Sequence, residues 1–441
     1  MFKKMTILIF LVLITIFSCE LPKDEVVTYD ACNYISGFSN PKKISLIDAN
    51  NAIVYDYTKG LIKLDLNSFP DYEVISGKTF TIDEKSGALP QFVFDRAVNY
   101  GSILPYDLTG DSAITLNPVD FSIVDNGTVK ILYVLASSSA TEVSPYLGGA
   151  FFVYKIDITD TTNIKAPTKS DVISLDSFPV SKVDNTTDLK NTALAIYATQ
   201  ERLYISGNLA NPIRIIQLKS EGTLFDDSMI PDSNGNVKMI KVDGDSRKTL
   251  DPGVIVVNED AANDSIFIAS RNPTELGFHC YNYNGVKLDM NQNKSVFESS
   301  FPKSLKILSL NNKDKYIFGA SYKNVAVYNT VTSSRERLIN VSDDVLISDV
   351  GTYALSSIDY LVAAYNYKIV ENKYTDYGYD HKMLYSGLVI YSDFMNTGIK
   401  KEQDIKIDGL VSSFVVVEQN GTKISLSASQ NNGRIYINKL N

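Results

Sequence analysis

The chain has 441 residues, long enough for two or three ordinary domains or for one large closed all-β domain. Hydrophobic residues make up 44% and charged residues 21%, a balance that can bury a real core and excludes wholesale disorder. With 51 acidic against 42 basic side chains and no basic cluster, the surface repels phosphate backbones, so nucleic acid is not an expected partner.

The first element is a leader. Met1 to Thr6 carries Lys3 and Lys4, and Ile7 to Phe17 is apolar apart from Thr15. At about 1.5 Å per residue this run is shorter than the roughly 20 residues a hydrocarbon core of about 30 Å needs, and it suits a signal peptide. The next residues, Ile16-Phe17-Ser18-Cys19, resemble the lipobox of bacterial lipoproteins, with Phe17 standing where that family usually has a small residue. The resemblance implies diacylglyceryl transfer to the Cys19 thiol, cleavage just before it, and acylation of the freed amine, with chains such as palmitate. Two or three acyl chains anchor stably where one does not. An ordinary secretory signal with an incidental Cys19 is the other reading of the same residues.

The expected domains are therefore a lipoprotein signal peptide over 1–18, a tether over 19–40 and a body over 41–441. No later segment approaches 18 consecutive apolar residues, so the membrane is met only through the N-terminal lipid, in the bacterial cell envelope, with the leaflet left open. Cys32 and Cys280 remain. An exported chain permits a disulfide between them, which would clamp the tether to the body, and two solitary thiols are the alternative.

Through the body, strand patterns rich in Tyr, Phe, Val, Ile and Thr dominate. A pair of strands recurs: an apolar run, a polar turn, then an alternating run. It starts at Asn51, Gln91, Val129, Arg202, Ser265, Lys315, Tyr360 and Lys423. The second strands centre near Leu64, Tyr106, Tyr154, Ile216, Tyr281, Tyr328, Tyr391 and Ile437, at intervals of roughly 40 to 65 residues, the length of a four-stranded propeller blade. Closing a ring removes exposed sheet edges. The expected fold is all-β, a single β-propeller of seven or eight blades, and a pair of β-sandwiches is the alternative.

Two stretches, GNLANPIRIIQLKSEG and YKNVAVYNTVTSSRERLI, resemble the YVTN family of bacterial β-propeller repeats. That resemblance implies architecture and little about activity. The chain has no tryptophan, so it lacks the Trp-Asp ending of WD repeats and the tryptophan docking motif of quinoprotein-type propellers. It departs in the same way from the eight-bladed lipoprotein of the outer-membrane barrel assembly machinery.

Residues able to carry catalysis are few. His279 and His381 are the only imidazoles, whereas a Ser-His-Asp triad needs one as base and a catalytic zinc commonly needs two or three. In the alternating stretch GFHCYNY, His279 and Cys280 point to opposite faces, which disfavours a shared site. The run from Asp232 to Asp245 sets Asp232, Asn234 and Asn236 at alternate positions, as in a calcium loop. It has Val237 where such a loop needs Gly and Asp243 where it needs Glu, so an SNGN hairpin turn is the simpler reading. No GxxxxGK[ST] or GxGxxG occurs. No cofactor and no metal are expected.

The segment from Lys373 to Gly387 concentrates Tyr374, Tyr377, Tyr379, His381 and Tyr385. Tyrosine gives a large amphipathic contact area at small entropic cost, so this is the candidate partner-binding loop; tyrosines packed on neighbouring blades are the other reading. The expected function is a lipid-anchored envelope propeller that binds or scaffolds a protein or glycan partner, oligomeric state open. The alternative is a propeller hydrolase, lactonase-like or glycan-cleaving, with acids converging in the axial funnel. Enzymatic activity is left open, leaning against it.

Overall fold

A computed structural model describes residues 33–68, 79–81, 87–91, 93–94, 114–138, 151–175, 192–208, 213–218, 237–240, 252–259, 265–270, 277–282, 286–288, 303–311, 314–321, 323–332, 334–342, 345–367, 374–375, 378–379 and 386–440. Strand β1 (Asn33–Ser36) comes first. Blade 1 follows with β2 (Pro41–Leu46), β3 (Asn51–Asp56) and β4 (Gly60–Asp65); β5 (Thr79–Thr81) leaves this blade and β6 (Gly87–Ala88) completes it. Blade 2 is β7 (Val93–Phe94), β8 (Ile114–Asp125), β9 (Lys130–Ser138), β10 (Phe151–Asp157) and β11 (Val172–Ser174). Blade 3 is β12 (Thr192–Ala198), β13 (Arg202–Asn208), β14 (Ile213–Gln217) and β15 (Val237–Ile240). Blade 4 is β16 (Pro252–Asn258), β17 (Ser265–Ser270), β18 (Gly277–Asn282) and β19 (Lys287–Leu288). Blade 5 is β20 (Ser304–Ser309), β21 (Lys315–Ser321), β22 (Asn324–Asn329) and β23 (Arg335–Asn340). Blade 6 is β24 (Val345–Leu355), β25 (Ile358–Tyr367), β28 (Ser386–Ser392) and β29 (Lys400–Ile407), with the ribbon β26 (Tyr374–Thr375) and β27 (Gly378–Tyr379) between its second and third strands. Blade 7 is β30 (Val411–Gln419), β31 (Thr422–Ser429) and β32 (Arg434–Lys439).

Blade 7 is completed by β1, from the N-terminal end of the body. Its sheet runs β30-β31-β32-β1-β5, with β1 antiparallel to β32 (Tyr34 opposite Tyr436) and parallel to β5. The ring is thus closed by pairing the two ends of the body, and the buried edge of β32 is covered instead of left as a template for another chain.

First strands of successive blades lie against one another: β8 by β12, β12 by β16, β16 by β20, β20 by β24, β24 by β30 and β30 by β2. Blades 1 and 2 meet through Tyr55, whose hydroxyl donates to the Pro118 carbonyl at 2.7 Å. The apolar core divides into seven clusters, one for each interface between neighbours. The closing cluster joins Ile35, Leu426, Ile435 and Ile437 of blade 7 to Ile44, Val54 and Ile62 of blade 1. A blade buries both faces, so its middle strands are apolar throughout: SIFIAS of β17 and SGLVIYS of β28 are buried at every residue. Outer strands such as RERLIN of β23 and KKEQDIKI of β29 carry charge, which deters edge-to-edge pairing.

The molecule is therefore a single seven-bladed β-propeller. The count falls to seven because the pair of strands expected from Gln91 is not a blade: Val93 and Phe94 pair with Thr115 and Ile114, extending blade 2 on the inner side of β8. Tyr106 lies outside the described residues. The tether expected to reach residue 40 also needs correction at its end. Asn33–Ser36 is a strand of blade 7, because β32 would otherwise present an unpaired edge beside a buried apolar face.

Candidate interaction face and the axial acids

Strand alternation gives the ring two faces. Connectors between blades and the turns from second to third strands emerge on one, here the connector face; turns from first to second and third to fourth strands emerge on the other, the turn face. The tyrosine segment links β25 to β28, so it belongs to the connector face, where Tyr374 and Thr375 pair with Tyr379 and Gly378 in a short ribbon. Tyr377, His381 and Tyr385 lie outside the described residues. Asn33 opens β1 on the opposite, turn face, and the chain passes from Ser36 through Gly37–Asn40 to β2 on the connector face. Cys19 and the whole segment expected as leader lie outside the described residues.

The other sequence candidates separate. Cys280 is buried in β18 opposite Phe267, within the core shared with blade 5. His279 is 7% exposed, pairs across the sheet with Ile268 and stands on the face that meets blade 3, so the alternation expected from GFHCYNY holds. Cys32, the other half of the disulfide considered above, lies outside the described residues; its neighbour Asn33 is in blade 7, whereas Cys280 is in blade 4. Asp232, Asn234, Asn236 and Asp243 also lie outside the described residues, and Val237 begins β15, the outer strand of blade 3. Among the described residues no three His, Cys, Asp or Glu side chains gather in a metal-binding group.

The seven innermost strands contain four acids, and each is matched to a lysine. Asp120 meets Lys43 at 2.6 Å, Asp349 meets Lys306 at 2.7 Å, Asp125 meets Lys130 at 3.4 Å and Glu418 meets Lys423 at 2.5 Å. Asp120 and Asp349 occupy the same place in their blades, just after a bulge in the first strand (between Pro118 and Asp120, and between Ile347 and Asp349). Each ties three blades together. Lys43 of blade 1 donates to Oδ1 of Asp120, and the backbone N–H of Ile196 in blade 3 donates to Oδ2 at 3.0 Å. Lys306 and Ser304 of blade 5 donate to Asp349, while Ser413 Oγ and the Phe414 N–H of blade 7 donate to its Oδ2, both at 3.0 Å. Beyond Thr115, where the pairing of β8 with β7 ends, β8 has a sheet partner on one side only, as do β12 and β30, so N–H groups on the free side need acceptors, and these carboxylates supply them. The lysines also lie over the rings of Phe121 and Phe414, at 4.7 Å and 5.3 Å from the centroids.

Neither histidine had signalled this arrangement, and no motif marks it. What could have found it is the recurrence of a lysine in the first strand of one blade and an aspartate in the first strand of the next: Lys43 then Asp120, Lys306 then Asp349.

No protein-family model matches the sequence, and no curated protein matches it. Similar solved structures include BBS1N in complex with ARL6DN, at 12% identity and a TM-score of 0.46 over 94% of this chain and 96% of that one. The WD40 β-propeller domain of Doa1 is another, at 8% identity and 0.44 over 93% and 97%. A third is Raptor of Chaetomium thermophilum, at 7% identity and 0.49 over 94% of this chain and 29% of that one.

Proposed function

We propose that this chain is a lipid-anchored, YVTN-like propeller of the bacterial envelope that binds a protein or glycan partner on its connector face. The observation that carries the reading is the opposition of the two faces: the chain enters the body at Asn33 on the turn face, and the segment that holds the tyrosine ribbon joins the end of β25 to the start of β28 on the other. A propeller held through Cys19 would thus turn the tyrosine segment away from the membrane. Tyrosines on such a ribbon offer rigid, amphipathic contact area.

The hydrolase alternative needs free acids converging on the axis. The acids of the seven innermost strands are each engaged by a lysine, and Asp120 and Asp349 also by backbone N–H groups of the next blade, which favours binding over hydrolysis. Two measurements test the proposal. Mass spectrometry of the mature N-terminus should find Cys19 acylated. Photo-cross-linkers placed at Tyr374 and Tyr379 in intact envelopes should give one recurrent adduct that a linker at Val331, on the turn face, does not give. An unmodified Cys19 removes the anchor, and adducts indifferent to position remove the binding face.

A further inference from the structure

Six large apolar residues are exposed among the described residues, and four of them stand on one sector of the turn face. Val286 (58% exposed) is in the third-to-fourth turn of blade 4, Val331 (81%) in that of blade 5, and Ile399 (40%) in that of blade 6; Ile358 (45%) follows the first-to-second turn of blade 6. Turn tips ordinarily carry Gly, Asn, Asp or Ser, so apolar residues at four tips on three consecutive blades form a pattern that scattered exposure does not explain. Exposed lysines flank them: Lys287 follows Val286, Lys400 follows Ile399, and Lys315 lies beside the Val331 turn, its carbonyl accepting from Thr330 Oγ1 at 3.0 Å. Two hydrogen bonds join blade 5 to the blade 6 turns. Arg337 of blade 5 donates to the Met395 carbonyl in the turn that bears Ile399, at 2.6 Å, and the Asn311 N–H donates to Asp359 beside Ile358, at 2.8 Å.

The sector's own charges are near balance: Asp393 is 3.6 Å from Lys400, Asp314 adjoins Lys315 and Asp359 follows Ile358. The occupant is indicated by where the chain leaves the body: Asn33 lies on this same face, in blade 7, next to blade 6. Fully extended, the chain from Cys19 to Asn33 reaches about 50 Å, enough to let the face settle on a surface that holds the anchor.

We propose that this sector is a bilayer-contacting surface, in which Val286, Val331, Ile358 and Ile399 enter the headgroup region of a phospholipid membrane and Lys287, Lys315 and Lys400 meet its phosphates. The proposal rests on the lipid-anchored reading, which brings the face to the membrane. Apolar tips beside flexible cations match an interface whose depth changes from polar to apolar within a few ångströms.

The absence of tryptophan makes the test direct, because a single introduced indole is the only one present. Val331→Trp and Ile399→Trp report on the sector, and Tyr57→Trp, exposed on the connector face, is the control. The acylated full-length chain is bound to phosphatidylethanolamine and phosphatidylglycerol vesicles that contain brominated lipid. Emission of V331W and I399W should shift to shorter wavelength and be quenched at least threefold more than that of Y57W. Vesicle-bound chain with all three indoles equally solvent-exposed overturns the proposal and leaves the anchor intact. Shielding of V331W before vesicles are added also overturns it, since a second copy or a protein would then be the occupant. If the chain proves unacylated, the same spectra at high vesicle concentration decide the surface alone: a response from V331W and I399W upholds it and silence refutes it.

Discussion

Asp349 is 2% exposed and, besides the N–H of Val350 in its own strand, accepts hydrogen bonds from side chains or backbone of blades 5 and 7, neighbours that only the assembled ring provides. Removing one member of a buried ion pair leaves the other without compensation, and Asp349→Asn should cost about 3 kcal/mol. Asp120, whose side chain is 16% exposed, keeps partial hydration, and Asp120→Asn should cost less. Denaturant midpoints of the two variants check this, and an equal loss would refute the ordering. Tyrosines offer a second contrast. The hydroxyl of Tyr328 is buried in the blade 4–5 core and finds no hydrogen-bond partner among the described residues, whereas that of Tyr55 donates to Pro118 across an interface. Tyr328→Phe should be neutral or slightly stabilising and Tyr55→Phe should cost about 1 kcal/mol, read from the same unfolding curves.

At the scale of the strand, the third strand of each blade carries the repeat. Leu64, Tyr154, Ile216, Tyr281, Tyr328, Tyr391 and Ile437 all lie in third strands and all are buried, so the residues that the sequence marked as hairpin centres are the ones that fill the interfaces. They were legible because an apolar run beside an alternating one is a local pattern. The packing between them was not. Phe278 of blade 4 lies flat over Gly319 of blade 5 and meets Tyr328 edge-on at 6.0 Å, a fit that requires a residue without a Cβ at position 319. Gly319→Ala drives a methyl group into that ring and should destabilise by about 1 to 3 kcal/mol. Thermal unfolding of G319A beside G87A, whose added Cβ meets open space, makes the comparison; equal melting temperatures would contradict it.

For the whole molecule, closure and burial decide how stability responds to truncation and to pH. Ile35 is fully buried between blades 7 and 1, and Ile35→Ala should cost about 2 to 4 kcal/mol, far more than trimming the exposed Tyr57. A melting temperature unchanged in I35A would mean that β1 does not hold the ring shut. Burial also pushes the phenols of Tyr55, Tyr133 and Tyr391 from 10.0 up to about 12. A phenol whose pKa is raised in the folded state favours the neutral form there, so its contribution is complete below the unfolded value of 10.0 and is lost as pH rises through about 12. Stability should therefore fall between about pH 10 and 12, with these tyrosines ionising only as the chain unfolds. Ultraviolet titration and unfolding curves run in parallel should coincide in that window, and ionisation of every tyrosine near pH 10 in a folded chain would refute it.

Sequence by itself determined that this chain is all-β and built of repeated strand pairs, because alternation and apolar runs are short-range properties of neighbouring residues. It could not count the blades, since the strands from Gln91 have the local look of a blade, and only their pairing with Ile114 and Thr115 shows them to be an extension of another. The closing strand was hidden for a related reason: Asn33–Ser36 is joined to β32 by backbone hydrogen bonds across nearly the whole length of the chain, and such bonds leave little trace in side-chain pattern. Tertiary structure alone decided which lysine meets which aspartate around the axis, and on which side of the ring the chain enters. Both follow from how the seven sheets are arranged around one centre, which no stretch of residues contains.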